Sequence, residues 1–402
     1  MPLTNIDETQ VRSYVLPDPL RLANGEQVND TNTWINRRRP EILNLFAEYQ
    51  HGFTPREPLV TMHAILDSGV VGLEGLARRT QARIHFSDAP HSPTIRVLHY
   101  TPRDARGPVP TLLHVGFCPP IRILNEPGLD VGRAWSGANR VPDYEAPRPA
   151  CLPLSAMKHL VQRGYGIAYV YYEDIEPDFN GGAAYGVRAL YEPQNRQRRA
   201  SEWGAVGAWA WGISRVLDFL LTQPTVDAGK VALSGVSRLG KAVLWAGAQD
   251  ERFAAVIAML SGEGGDAVSR RNFGESIADL VAPERFPYWF APRYAEYAQD
   301  VDSLPVDGHM LLALMAPRPL LQITGSEDHW ADPKGEFLAS LAAKPVYELF
   351  GKRGVDWLEF PAAGSRSLND MGYFIHKGPH MTYLEDYAVL ADFLDRHFRR
   401  AP

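Results

Sequence analysis

The stretch Val231-Ala-Leu-Ser-Gly-Val-Ser-Arg-Leu-Gly-Lys241 decides the fold. An apolar run over 230–235 reads as a buried strand, Gly235 and Ser237 follow, and a helix is predicted at once over 241–248. This is the pattern of a nucleophile elbow, a strained strand-to-helix turn that lifts one hydroxyl clear of a sheet. The helix start offers N–H groups without intrahelical partners and a positive dipole end, both suited to a developing oxyanion. Arg238 puts a permanent cation beside Ser237. The spacing departs from plain Gly-x-Ser-x-Gly: the second glycine is Gly240, and Leu239 stands where that motif has its glycine.

Outward from the elbow, strands are predicted over 79–86 and 94–101, joined by a Pro-containing turn, and over 110–116, 166–172, 254–260, 319–324 and 356–360. Helical spacing marks 41–48, 203–221 and 383–397, the last turning Tyr387, Leu390, Phe393 and Leu394 inward. Strands alternating with helices imply a mainly parallel sheet covered on both faces, with the 79–101 pair as an antiparallel edge. The expected fold is therefore α/β, a three-layer sandwich of the α/β-hydrolase kind. A Pro- and Gly-rich insertion over 119–150 is expected near the site, because loops that long in compact domains are usually functional. Without repeats, low-complexity tracts or linkers, 1–402 reads as one domain.

Composition narrows the partners. Hydrophobic content of 45% and charged content of 22% are globular values. A net charge of −6, with no basic block beyond Arg37-Arg38-Arg39, argues against nucleic acid; that triplet reads as a solvated helix start. No apolar run reaches membrane-spanning length, so no membrane partner is expected. The start Met-Pro-Leu-Thr-Asn-Ile-Asp-Glu lacks the basic and apolar regions of a secretory leader; a secreted or periplasmic address would require that a leader had been removed. The two cysteines, Cys118 and Cys151, have no metal-type spacing and none that demands a bridge, so they are expected to be unpaired and no metal site is expected.

A serine needs a base within hydrogen-bond reach and a third group to orient that base. In this kind of hydrolase the chain order is Ser, acid, His, with the His just ahead of the last helix. His380 stands there, three residues before Tyr383; His376 is its rival and is expected to pack or to orient the loop. Asp328, beyond the strand over 319–324, is the chosen acid, with Glu327 and Asp332 close by. Asp332 precedes Pro333 and suits a helix cap. Glu263, after the strand over 254–260, is the second candidate.

Gly235-x-Ser-Arg-x-Gly-Lys241 resembles the signature of the glucuronoyl esterases, carbohydrate esterase family fifteen. The resemblance covers most of the chain, through Trp203-Gly-Ala-Val-Gly-Ala-Trp-Ala-Trp-Gly212, Ser269-Arg-Arg-Asn-Phe-Gly-Glu275 and Trp330-Ala-Asp-Pro333 among others. It implies an enzyme, without metal or cofactor, that cleaves esters joining glucuronate or 4-O-methylglucuronate of xylan to lignin alcohols. By position it implies Ser237 as nucleophile, His380 as base and Arg238 in the oxyanion hole. Lys241 and Glu275 would bind sugar hydroxyls, and Trp330 would line the sugar pocket. The plain alternative for Glu275 is an ion pair with Arg270 or Arg271.

One departure stands out. The family's usual Glu immediately precedes a Ser-Gly pair, and here Leu260 precedes Ser261-Gly262. Bacterial-type members can place the acid on the later strand, which favours Asp328, and the absence of the fungal disulfides also points to that branch. Two other functions remain open at this level. An acetyl-xylan or other carbohydrate esterase would not need the Lys241 and Glu275 pair. A non-catalytic polysaccharide-binding protein would not need the acid.

Overall fold

The computed structural model of the chain describes residues 4–55, 61–88, 92–147, 151–191 and 197–399. Its strands are β1 (Met62–Gly72), β2 (Ala77–His85), β3 (Thr94–Pro102), β4 (Val109–Gly116), β5 (Arg133–Ser136), β6 (Asn139–Pro142), β7 (Gly166–Tyr171), β8 (Val226–Val236), β9 (Ala255–Met259), β10 (Leu320–Gly325), β11 (Arg366–Ser367) and β12 (Met371–His376). The α-helices are α1 (Thr31–Thr33), α2 (Arg39–Phe46), α3 (Leu154–Gln162), α4 (Ala205–Leu221), α5 (Arg238–Gln249), α6 (Ile277–Val281), α7 (Gly308–Ala313), α8 (Pro333–Leu349) and α9 (Leu384–Phe398).

Ten strands form one sheet in the order β1-β2-β3-β7-β4-β8-β9-β10-β12-β11. From β7 to β12 the neighbours are parallel. Antiparallel β1, β2 and β3 extend one edge, and β11 closes the other. Both faces of the parallel part are buried. Along β8, Val231 and Leu233 enter one core while Ala232 and Val236 enter the other, as a period of two requires. Helices α4, α5, α7 and α8 fill the first core, and α3 and α9 fill the second. The result is the three-layer α/β-hydrolase sandwich, with β8 central and its C-terminal end carrying Ser237.

Three expectations need correction, and one strand went unread. Residues 356–360 are not a strand, and Leu358 is exposed; the strand beside β10 is β12, whose six residues are all buried and so show no alternation. Edge strand β1 was not legible, because most of its residues are exposed and neither face imposes a pattern. Of the arginine triplet only Arg37 is exposed. Buried Arg38 donates to the carbonyls of Asp18 and Pro19, and Arg39 to that of Ala248. Finally, Cys118 and Cys151 form a disulfide with their Cα atoms 6.1 Å apart. A separation of 33 residues says nothing about distance in space; the pair closes a loop at the two ends of the insertion.

The described part of that insertion contains the β5–β6 hairpin and is tied to β2 and β3 by ion pairs. Arg79 pairs with Glu126 at 3.2 Å, Arg83 with Asp130 at 2.5 Å, and Arg96 with Asp143.

Candidate active site

Ser237 joins β8 to α5 with φ 57° and ψ −127°, outside the regions a serine ordinarily occupies. Its N–H donates to the carbonyl of Met259 at 2.8 Å, which fastens the turn to β9. The flanking glycines are steric necessities. A Cβ on Gly235 would lie 2.5 Å from the Leu239 carbonyl oxygen, and one on Gly240 would lie 2.6 Å from the Ser261 Cβ. Position 239 meets no such constraint, and its leucine is buried in the core. That explains the altered spacing of the motif.

Three residues from three loops meet above the sheet. The Ser237 hydroxyl lies 3.0 Å from His380 Nε2, and His380 Nδ1 lies 2.5 Å from Asp328 Oδ2. Asp328 is buried, whereas the His380 side chain is 39% exposed and therefore reachable by substrate and water. The loops after β10 and β12 are laced together: Ser326 N donates to the His376 carbonyl and Glu327 N to that of Gly378, each at 2.9 Å. His376 itself is buried, with Nδ1 2.9 Å from Asp386 Oδ1; it anchors the loop to the start of α9. Burial opposes its charge, but Asp386 wins and raises its pKa.

The other carboxyls are placed elsewhere. Glu327 is exposed. Asp332 caps α8 through Gly335 N at 3.0 Å and pairs with Arg271 at 2.8 Å. Glu263 is buried and accepts from Ser269 and Tyr294 hydroxyls at 2.8 Å each, and burial pushes its carboxyl up to about 8. Leu260 has a positive φ of 53° at the end of β9, and its side chain is buried.

Arg238 reaches sideways to Asp178, which lies after β7, at 2.5 Å. The same buried carboxylate accepts from Tyr288 Oη at 2.9 Å, Trp289 Nε1 at 2.8 Å and Tyr172 Oη at 3.1 Å. The guanidinium also lies over the rings of Trp289 and Phe286, 4.7 and 5.2 Å from their centroids. Burial works against this cation, but Asp178 overcomes it and the pKa is raised. The guanidinium is thus held in one place beside the elbow.

A cleft of about 190 Å³ opens over Ser237, Arg238 and His380. Its polar wall is Lys241, Glu275 and Arg285. Lys241 is buried, donates to the Ser261 carbonyl at 2.6 Å and lies 3.6 Å from Glu275. Arg285 pairs with Glu275 at 3.1 Å and lies over Trp330 at 4.7 Å. Glu275 is therefore ion-paired, but with neither neighbour in sequence: Arg270 pairs with Asp307 and Arg271 with Asp332. Glu275 N donates to the Trp330 carbonyl at 2.8 Å, which ties these two residues together across 55 positions. The Ser261 turn is held from below by two buried carboxyls, Asp266 on the Ser261 hydroxyl and Glu336 on Gly262 N.

Sequence reasoning missed Asp178, Arg285, Phe286 and Trp289. Arg285-Phe-Pro-Tyr-Trp289 sits in a Pro- and aromatic-rich excursion without periodicity. The one usable signal for Asp178 was the rule that a buried cation needs a carboxylate, which names no position.

An elbow serine bonded to a histidine, on a sheet of this order, defines a serine hydrolase of the α/β-hydrolase fold. A sequence profile described as glucuronyl esterase, fungi, matches residues 134–351. A glucuronoyl esterase from Solibacter usitatus is 39% identical, with a TM-score of 0.90 over 97% of this chain and all of the other. A carbohydrate esterase from an unknown prokaryotic organism is 37% identical over 98% of this chain and 92% of its own length. A 4-O-methyl-glucuronoyl methylesterase of Cerrena unicolor is 28% identical over 84% of this chain and 62% of its own length. The chain belongs to the glucuronoyl esterase family and is a carboxylic ester hydrolase.

Proposed function

We propose that the protein hydrolyses esters whose acid is glucuronate or 4-O-methylglucuronate, with the ester links between glucuronoxylan and lignin as the polymeric substrate. Ser237 Oγ attacks the ester carbonyl carbon while His380 Nε2 takes its proton and Asp328 holds the imidazole tautomer. The tetrahedral oxyanion is met by N–H groups at the start of α5 and by Arg238, whose fixed position avoids reorganisation during the reaction. Collapse expels the alcohol, which takes the proton from His380. Water, deprotonated by His380, then cleaves the acyl-enzyme to the free uronate.

The observation that carries the substrate class is the polar wall of Lys241, Glu275 and Arg285 beside Ser237, edged by Trp330. Donors and acceptors fixed in that way suit vicinal sugar hydroxyls, and a bare acyl group would leave them unused. The test is hydrolysis of a benzyl glucuronate ester by the wild type and by Ser237→Ala. Turnover should be abolished in a folded variant; a retained tenth of wild-type turnover refutes the nucleophile.

A further inference from the structure

A second groove, of about 690 Å³, lies on the hairpin side of the molecule, between β5–β6, the start of β3 and the segment after β7. It does not include Ser237. Four arginines line it together with the carboxyls of Glu173 and Asp174, and the arginines differ in their partners. Arg83 and Arg96 in its lining are matched by Asp130, Asp143 and Asp174. Arg133 and Arg140 are not: among the described residues neither has a carboxylate within ion-pair distance. Arg133 instead donates to the Arg140 carbonyl at 2.6 Å. In the hairpin register Arg140 lies directly opposite Trp135, and Arg133 is two residues before it, so all three share one face. The Arg140 guanidinium sits 4.8 Å over the Trp135 ring. Loss of water there lowers its pKa; the Asp174 and Asp143 carboxylates pull the other way from beyond ion-pair distance, and the neighbouring Arg96 and Arg133 cations lower it further. Tyr185, 58% exposed, packs on Trp135 at 5.0 Å and offers an open ring at the same place.

Two guanidinia with no ion-pair partner among the described residues, beside a ring platform, describe a receptor for a planar carboxylate carried on a sugar. The cleft at Ser237 takes the esterified, neutral form of a uronate, whereas this groove has the chemistry for the ionised form. The two are also joined through the protein. Glu173, in the groove wall, accepts from Asp178 N at 3.1 Å, and Phe179 packs on Trp135 at 5.2 Å. Asp178, between those contacts, holds Arg238.

We propose that the groove at Arg133, Arg140, Trp135 and Tyr185 is a second saccharide subsite, binding the free carboxylate of an unesterified uronic acid on the polysaccharide chain whose ester is cleaved. The proposal rests on the uronate-ester reading of the Ser237 cleft. Its test uses Ser237→Ala protein with the cleft occupied by excess benzyl glucuronate ester. A xylo-oligosaccharide bearing free glucuronate is titrated calorimetrically into this protein, with and without Arg133→Gln and Arg140→Gln. The double substitution should weaken binding at least tenfold, while a neutral xylo-oligosaccharide changes less than twofold. Tyr185→Ala should weaken both sugars. In the wild-type background the two arginine substitutions should leave kcat/KM on the small benzyl ester within twofold and melting unchanged. Unchanged affinity for the acidic sugar, or equal loss for the neutral one, overturns the subsite. Absence of benzyl ester hydrolysis by the wild type instead removes the uronate-ester reading and is seen separately.

Discussion

Asp328→Asn and Glu263→Gln make the same change, carboxyl to amide, at two buried sites, and opposite consequences are expected. Asp328 Oδ2 is 2.5 Å from His380 Nδ1, where an ionised acceptor fixes the tautomer that leaves Nε2 free to accept the Ser237 proton. An amide nitrogen there would favour the wrong tautomer and remove the charge that steadies the imidazolium. The same change in a related triad costs about 10⁴ in kcat, which corresponds to about 5.4 kcal/mol of transition-state stabilisation. Glu263 is sealed under Tyr294 and Ser269, and its carboxyl, pushed up to about 8, is already neutral at pH 7. Glutamine keeps the oxygen that accepts both hydroxyls, so activity should stay within about threefold, because hydrogen bonds retained in kind cost little. The assay is kcat on a benzyl glucuronate ester, with thermal melts to verify folding. A severe Glu263→Gln and a mild Asp328→Asn would refute the reasoning and move the acid to the end of β9. Mild effects from both, and from the double variant, would leave His380 without an acid partner.

Lys241→Ala should spare small acyl esters and lower kcat/KM on uronate esters roughly ten- to hundredfold, the effect of losing one charge-assisted hydrogen bond of about 1.5–3 kcal/mol. Equal losses on both substrates would make Lys241 a support for the Ser261 turn. The raised pKa of Glu263 also has a stability consequence. The folded chain retains a proton that the unfolded chain releases, so this contribution is full below the ordinary value of 4.5 and is lost as pH rises through about 8. The melting temperature of Glu263→Gln minus that of the wild type should therefore rise between pH 5 and pH 9; a flat difference contradicts a buried neutral carboxyl. Cys151→Ser opens a loop of 33 residues and should cost about 3–4 kcal/mol by chain entropy, read as a lower denaturation midpoint that reductant does not lower further.

The elbow was legible because its reasons are local. A strand, two glycines pressed against backbone or a neighbouring loop, a serine and a helix start all lie within a dozen residues, and the geometry that demands them is compact. The same holds for the parallel strands β4, β7, β8, β9 and β10, though not for β12, and for α4, whose apolar residues carry their own periodicity. His380 was reachable through chain order alone. What the sequence left open was which distant groups meet. Leu260 at the usual acid position excluded one carboxylate, but only the loops after β10 and β12, laced by backbone hydrogen bonds, bring Asp328 to His380. The partner of Arg238, the sharing of Glu275 between Lys241 and Arg285, and the Cys118–Cys151 bridge are likewise contacts between segments remote in the chain. Residue type and local periodicity determine which elements form and which groups can ionise. Tertiary packing decides which charges face each other, because a carboxylate's partner is set by distance in space, and the sequence records only distance along the chain.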